Sequence, residues 1–510
     1  MNRLLLLLIF SLTTLLTAWA GTPAPDSTGH YIPHPAFIEQ PKIEARTVWL
    51  TTLYGLDWPK TQATDPASTR LQQEELCRML DQLKEAGINC VFFQSRMRND
   101  VAYRSQIEPL SPIFTGKAGQ DPGYDPLAFC IQECHKRGME CHAWLVTLPL
   151  GTAQEQKALG KRALSRAKSP FVVKAEGRYY LDPGYPETAD YLARIVAEIT
   201  DRYDIDGIQF DYFRYPENLS FPDQKSYHKY GTGTPKSQWR EENLTVLLRR
   251  LHQTIKSIKP WVKISICPLG KYDQLPRYDA GGFTAKRHHQ DAKRWLSEGL
   301  LDWVCPMLYY RDNHFFPFLT DWLETEANRP VIPGLGIYFL DPSEGNWGIR
   351  DVMKQICFGR NAGCAGIGYY RAEFLIRNLQ GLKERVEREF NLYPSLLPPM
   401  QWASATRPTA PGNLQVEYEG QHTLISWEAP VLDSIPSPAP TYNLYASDTW
   451  PVDITRAENL VEVRIEEQQY EYDATRLPAR RYFAVTTYDR YNQESDALQM
   501  PAPLKWNDKP

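Results

Sequence analysis

The sequence predicts an α/β fold, a (β/α)8 TIM barrel followed by a small all-β sandwich. Three observations carry this. From Ile43 to about Phe390 one pattern recurs: a short apolar strand, a polar loop, an amphipathic helix and often a glycine before the next strand. The strands are near-continuously hydrophobic, as in a parallel sheet covered by helices. Past a proline-crowded stretch, Pro394 to Pro411, the texture changes to short alternating segments.

Eight strands read in order as "ARTVWLTTL", "INCVFFQ", "MECHAWLVT", "IDGIQFD", "VKISICP", "LDWVCPMLY", "RPVIPGLGIY" and "CAGIGYY". Between them "LQQEELCRMLDQLKEAG", "DPLAFCIQECHKRG", "TADYLARIVAEITDRY", "NLTVLLRRLHQTIKSIK", "AKRHHQDAKRWLSEG" and "WGIRDVMKQICFGRNAG" read as helices, most with apolar residues three and four apart. Gly87, Gly138 and Gly363 stand where helices end, the residue best suited to a left-handed terminus. A doubly wound open sheet is the alternative, but it calls for a Gly-rich phosphate loop after an early strand, and none is present. The expected organisation is a signal peptide over residues 1–20, a barrel over 41–395, a Pro-rich linker over 396–410 and a sandwich over 411–505. The Pro-Xaa-Asn-Leu start, Trp427, "YNLYAS" and "RRYFAVTTYDRYNQES" make the sandwich resemble a fibronectin type III domain, with packing or spacing as its expected role.

Composition narrows the function classes. The 510 residues are 42% hydrophobic and 23% charged with a net charge of -4, so there is no basic field for nucleic acid. A basic start, the run "LLLLLIFSLTTLL" and "AWA" before Gly21 fit a cleaved export signal; the run is shorter than the roughly 20 residues of a membrane span. An exported protein, periplasmic or extracellular, with no integral membrane segment after cleavage is expected. Nine cysteines cannot all pair within one chain, and most fall in apolar runs, so they read as small core residues. A zinc site from Cys130, Cys134, Cys141 and His142 has irregular spacing, and neither metal nor cofactor is expected.

Barrel enzymes gather reactive groups at the carboxyl ends of the strands. Asp211 closes the fourth strand, with Gln209 on the same face and Arg214 just beyond. A loop cap paired with Arg214 is the non-functional reading of that aspartate, and Asp206, at the strand's start, reads as structural. Other strand ends offer Tyr54, Asp57 and Trp58; Arg96 and Asp100; His142 or Trp144, only one of which is expected to face inward; Lys271 and Asp273; Tyr309, Tyr310 and Asp312; Tyr338 and Asp341; and Glu373. Rings beside carboxylates suit sugars, whose C–H faces stack on aromatics while two acids flank the glycosidic bond. Trp58, Tyr309 and Tyr310 are the rings expected to stack.

The strings "RTVWLTTLYGLDWP", "VFFQSRMRNDVAYRSQIEPLSPIFTGKAGQDPGYDPLAF", "HKRGMECHAWL", "YLDPGYPETADYL" and "YDIDGIQFDYFRYP" resemble the glycosyl hydrolase-like 10 family. The resemblance covers most of residues 43–390 and implies a cell-envelope glycoside hydrolase, with peptidoglycan glycan strands as a substrate class. It assigns the family's motif positions to Asp57, Arg96, Asp100, Asp125, His142, Asp206, Asp211, Tyr212 and Tyr215. The chain departs from the family pattern at Gln209, where His is expected, at Tyr212, where a second acid is common, and at "VTLPLG", where Asn-Pro-Tyr-Arg follows the third strand. Asp211 is then the expected nucleophile or base, held ionised by Arg96 or Arg214. Asp100 is the expected acid, with Asp273, Asp312 and Glu373 open on position alone. The partner is a poly- or oligosaccharide. A non-catalytic glycan-binding protein and an interaction scaffold are the competing readings.

Overall fold

The computed structural model describes residues 38–217, 219–325, 327–431 and 439–501. The expected signal peptide lies outside these residues. Strands are numbered in chain order: β1 (Ala45–Leu50), β2 (Cys90–Arg96), β3 (Glu140–Val146), β4 (Pro149–Thr152), β5 (Val172–Ala175), β6 (Arg178–Leu181), β7 (Gly207–Asp211), β8 (Lys263–Ile266), β9 (Trp303–Val304), β10 (Met307–Leu308), β11 (Gly334–Leu335) and β12 (Gly366–Tyr370). One parallel sheet runs β10-β11-β12-β1-β2-β3-β7-β8-β9. Because β9 and β10 are successive pieces of the sixth strand, broken at Cys305-Pro306, the sheet closes on itself; bridges Leu269 to Met307 and Val304 to Val331 complete the seam. This is the (β/α)8 barrel.

All eight predicted strands form, because each apolar run is buried on both faces, by helices outside and by Trp49, Phe92, Trp144, Trp303 and Ile332 inside. The helix Pro66–Glu85 starts earlier than its apolar pattern suggests. Asp65 accepts from the backbone N–H groups of Ala67 and Ser68 at 2.9 Å, a cap that contributes about 1 kcal/mol. "AKRHHQDAKRWLSEG" does not form one helix: a short turn at Lys286–His288 ends at His289 with φ +63°, and the helix proper is Ala292–Ser297. The chain also inserts a small antiparallel sheet, β4-β6-β5, between β3 and β7.

The C-terminal strands are β13 (Gly412–Glu419), β14 (His422–Glu428), β15 (Thr441–Ser447), β16 (Leu460–Ile465), β17 (Gln469–Asp473), β18 (Tyr482–Tyr488) and β19 (Leu498–Gln499). They form antiparallel sheets β13-β14-β17 and β16-β15-β18-β19, packed around Trp427, Tyr442, Leu444 and Phe483. This sandwich sits against the amino ends of the barrel strands. Gly138 marks the contact: at φ +68° it lies so close to β16 that a Cβ there would stand 2.5 Å from the Val463 carbonyl. Arg464 enters the barrel floor, donating to Glu140 at 3.1 Å and Asp206 at 2.9 Å.

Candidate active site

At the opposite, carboxyl end the strands open into a cleft of about 570 Å3, to which every barrel unit contributes. Trp49, Gln94, Trp144, Asp211, Cys267, Met307, Tyr338 and Tyr370 are its lining residues from successive strands and the turns after them. Gln94 shapes the rim, its Oε1 accepting from the Thr51 hydroxyl at 2.7 Å and from the backbone N–H groups of Thr52 and Leu53 at 3.0 and 2.7 Å. Arg178, Tyr179 and Tyr180 of β6 form a wall, so the insertion after β3 helps build the cleft.

Asp211 is buried at the end of β7. Its Oδ2 accepts from Trp144 Nε1 at 3.2 Å and its Oδ1 from the Tyr212 N–H at 2.6 Å. The turn that begins there places Tyr212 at φ +49° with its ring 43% exposed, stacked on the Arg214 guanidinium at 4.6 Å. Arg214 Nε donates to Glu217, while its buried Nη1 has no hydrogen-bond partner among the described residues. Asp211 and Glu217 are the carboxylates lining the cleft, with Arg214 between them in sequence and bonded to the second. Tyr309 stacks on Tyr370 with centroids 5.3 Å apart and meets Tyr338 edge-on at 5.8 Å, giving a floor of rings near Asp211. Burial raises the Asp211 pKa, and Arg214, the Tyr212 N–H and Trp144 only reduce that rise.

The glycosyl hydrolase-like 10 family matches residues 44–338, the barrel through its seventh unit. The chain belongs to this family. Glycosyl hydrolase YngK of Bacillus subtilis strain 168 is 30% identical over 485 residues, 89% of this chain and 92% of its own. Glycosyl hydrolase DigH of Escherichia coli K12 is 37% identical over 360 residues, 63% of this chain and 81% of its own. The glycoside hydrolase domain of PgaB from Bordetella bronchiseptica superposes with a TM-score of 0.48 at 15% identity, covering 68% of this chain and 99% of that domain. The protein is therefore a glycoside hydrolase by family.

Within this glycosyl hydrolase-like 10 barrel, Asp211, Tyr212, Arg214 and Tyr309 line the cleft as predicted from the sequence, as do Trp144 and Tyr338 among the other strand-end residues it offered. Asp100 does not. It is half-buried in a neighbouring hollow, where burial pushes it up to about 6 against the hydrogen bonds from Ser111 and the Arg98 N–H. Trp58 is fully buried between Phe93 and Phe114 and donates to the Gln72 carbonyl at 2.8 Å, so it is core rather than a sugar platform. Arg96 is also fully buried and holds Glu108 through two bonds of 2.8 Å, its third nitrogen donating to the Val146 and Thr147 carbonyls. With its nitrogens so engaged it braces the β2 and β3 ends, and Arg214 is the cation that acts on Asp211. Asp57 is occupied by Arg371, by the Glu373 N–H at 2.9 Å and by the Thr51 N–H at 2.7 Å; burial pushes it up to about 6 despite them.

His142 and Trp144 both point into the barrel, because residues two apart on a strand share a face. His142 lies below the cleft, stacked on Trp303 at 5.2 Å and bonded to Glu140 at 2.9 Å. Gln209 is fully buried and outside the cleft lining, one step down β7 from Asp211. Tyr310 turns away, its ring under the Lys271 ammonium at 4.5 Å. Asp273 is exposed and accepts from the Gln274 N–H, and Asp312 is exposed on a tight turn. Glu373 pairs with Lys60 at 3.1 Å and Arg371 at 3.3 Å. None of these lines the cleft. Of the family's other motif positions, Asp125 caps the helix Pro126–His135 and accepts from Tyr203, while Tyr215 is buried and accepts from Asn243 at 3.2 Å.

Sequence reasoning missed Glu217, Trp49, Arg98 and the β6 wall. The only signal for Glu217 was its place in "DYFRYPE", on the loop that Asp211 begins. All nine cysteines are free thiols. Cys130, Cys134 and Cys141 pack together, Cys130 lying 4.0 and 3.9 Å from its two neighbours, but His142 faces the other side of β3, so the four-ligand set does not assemble. Cys90, Glu140 and His142 also bring three ligand atoms together, yet Lys263 and Arg464 already neutralise Glu140.

Proposed function

We propose that this protein is an exported glycosidase of the cell envelope that hydrolyses glycosidic bonds in polysaccharide, with peptidoglycan glycan strands as substrate class. The observation that carries it is Asp211: a buried carboxyl at a barrel strand's carboxyl end, opening on a ring-lined cleft that holds a second carboxylate, Glu217. Two carboxyl groups and an aromatic floor are what an oxocarbenium-like transition state needs. Burial raises the Asp211 pKa, which suits the proton donor to the leaving oxygen; Glu217, bonded to the Arg214 guanidinium, suits the charged role at the anomeric carbon or its water. This assignment moves Asp211 from the expected nucleophile or base to the acid, because burial outweighs Arg214. Export is supported by the basic start, apolar run and "AWA" of residues 1–20. The described residues contain no helix long and apolar enough to cross a membrane.

The test is release of new reducing ends from purified bacterial glycan strands and N-acetylated oligosaccharides, comparing the parent protein with Asp211→Asn. Cleavage by the parent alone supports the reading. Binding by both proteins with cleavage by neither overturns it in favour of a glycan-binding protein. Export is read separately: the mature protein begins at Gly21 in the exported fraction, or the export reading falls.

A further inference from the structure

Beside the cleft lies a second hollow of about 290 Å3. Leu53 and Arg98 line both, so the two spaces share one partition. Its top is organised: Arg98 Nη1 donates to the Tyr54 hydroxyl at 2.6 Å, and both groups bond Glu155, which fixes the Tyr54 ring at the junction. That ring is 62% exposed, and its backbone holds φ +56°, a conformation a bulky residue adopts only where its surroundings impose it. An exposed aromatic pinned by two charged partners is a preorganised surface rather than a loose side chain. Deeper in, Ile113 and Leu159 give aliphatic walls, and Asp100, whose Oδ1 accepts from the Arg98 N–H at 3.0 Å, presents a carboxyl.

We propose that this hollow is an accessory subsite for one further sugar unit of the same glycan chain whose scissile bond sits at Asp211. The inference rests on the glycosidase reading of the cleft. An open ring for the sugar's C–H face, aliphatic walls and a single acid for hydroxyls are the makeup of a small-ligand site, apolar with few convergent polar groups. Continuity through Leu53 and Arg98 names the occupant, since a chain leaving the cleft over that partition meets the Tyr54 ring next. Asp100 is thereby a binding group, outside the chemistry at Asp211. Binding energy gathered at such a remote unit raises kcat/KM for chains long enough to reach it.

The experiment uses the full chain and N-acetylated oligosaccharides of increasing length from bacterial glycan strands. Ala158→Trp adds bulk at an exposed rim position of the hollow, and Asp100→Asn removes the charge inside it. For each variant the ratio of kcat/KM on the longest to the shortest cleaved oligosaccharide falls about tenfold relative to the parent, mainly through KM. An unchanged ratio overturns the subsite. A calorimetric arm measures affinity for the longest oligosaccharide on Asp211→Asn with and without Ala158→Trp, expecting about tenfold weakening. If the parent cleaves no length at all, the glycosidase reading fails by itself; the affinity arm still decides the hollow, and equal affinities reject it.

Discussion

Asp206 and Arg464, 258 residues apart, meet at 2.9 Å beneath the barrel. Asp206 immediately precedes β7, the strand that ends in Asp211, so the sandwich holds the foot of the strand whose head carries the reacting carboxyl. The same guanidinium reaches Glu140 at 3.1 Å, and His135, Lys263 and Arg490 complete the cluster. Both carboxylates are buried, and without cationic partners they would be costly to keep charged.

Arg464→Met is expected to destabilise the chain by about 3–5 kcal/mol in denaturant unfolding, because it leaves two buried carboxylates short of a partner. Arg407 pairs with Asp496 on the surface, and Arg407→Met should cost no more than about 1 kcal/mol. Equal losses for the two would remove the floor cluster as a source of stability.

Glu140 gives the cluster a pH signature. Burial alone would raise its pKa, but Lys263, His142 and Arg464 overcome this and lower it from 4.5 to about 2. A carboxyl depressed by folding contributes stability above its unfolded pKa, and loses that contribution as pH falls through the folded value. Unfolding free energy should therefore decline between pH 4.5 and about 2, and the parent minus Glu140→Gln difference should shrink over that same window. A difference flat across the window contradicts the ion cluster.

Trp58 separates packing from binding. Trp58→Ala is expected to cost about 3–5 kcal/mol of stability, as for a large buried aromatic, with KM unchanged at temperatures where the variant stays folded. A raised KM in a stably folded variant would return Trp58 to the cleft.

The barrel was legible because most of each strand is a near-continuous apolar run, as burial on both faces requires. The β4-β6-β5 insertion was not, since "VVKA" and "RYYL" are short and the loop gave no period to read. At the site, position along a strand identified Asp211, but not which residues just past a strand end turn inward. "LDWP" sends Trp58 into the core while Trp49, nine residues earlier on β1, faces the cleft. Arg96 and Asp100 fell to long-range partners: Glu108 takes the guanidinium, and the β2 loop carries the aspartate to the neighbouring hollow. Glu217 lies beyond Pro216, where no periodicity extends.

The division of roles in the cleft predicts an alkaline limb in the pH dependence of kcat/KM. If Asp211 donates the proton, activity falls as pH rises through its pKa, which burial has raised. Asp211→Asn should lower kcat by about 10²–10⁴-fold and erase the alkaline limb. Arg214 holds the Asp211 pKa down against burial, so in Arg214→Met the alkaline limb should move to higher pH rather than lower. Movement to lower pH, or loss of an acid limb in Asp211→Asn instead, would exchange the two roles and make Asp211 the charged partner.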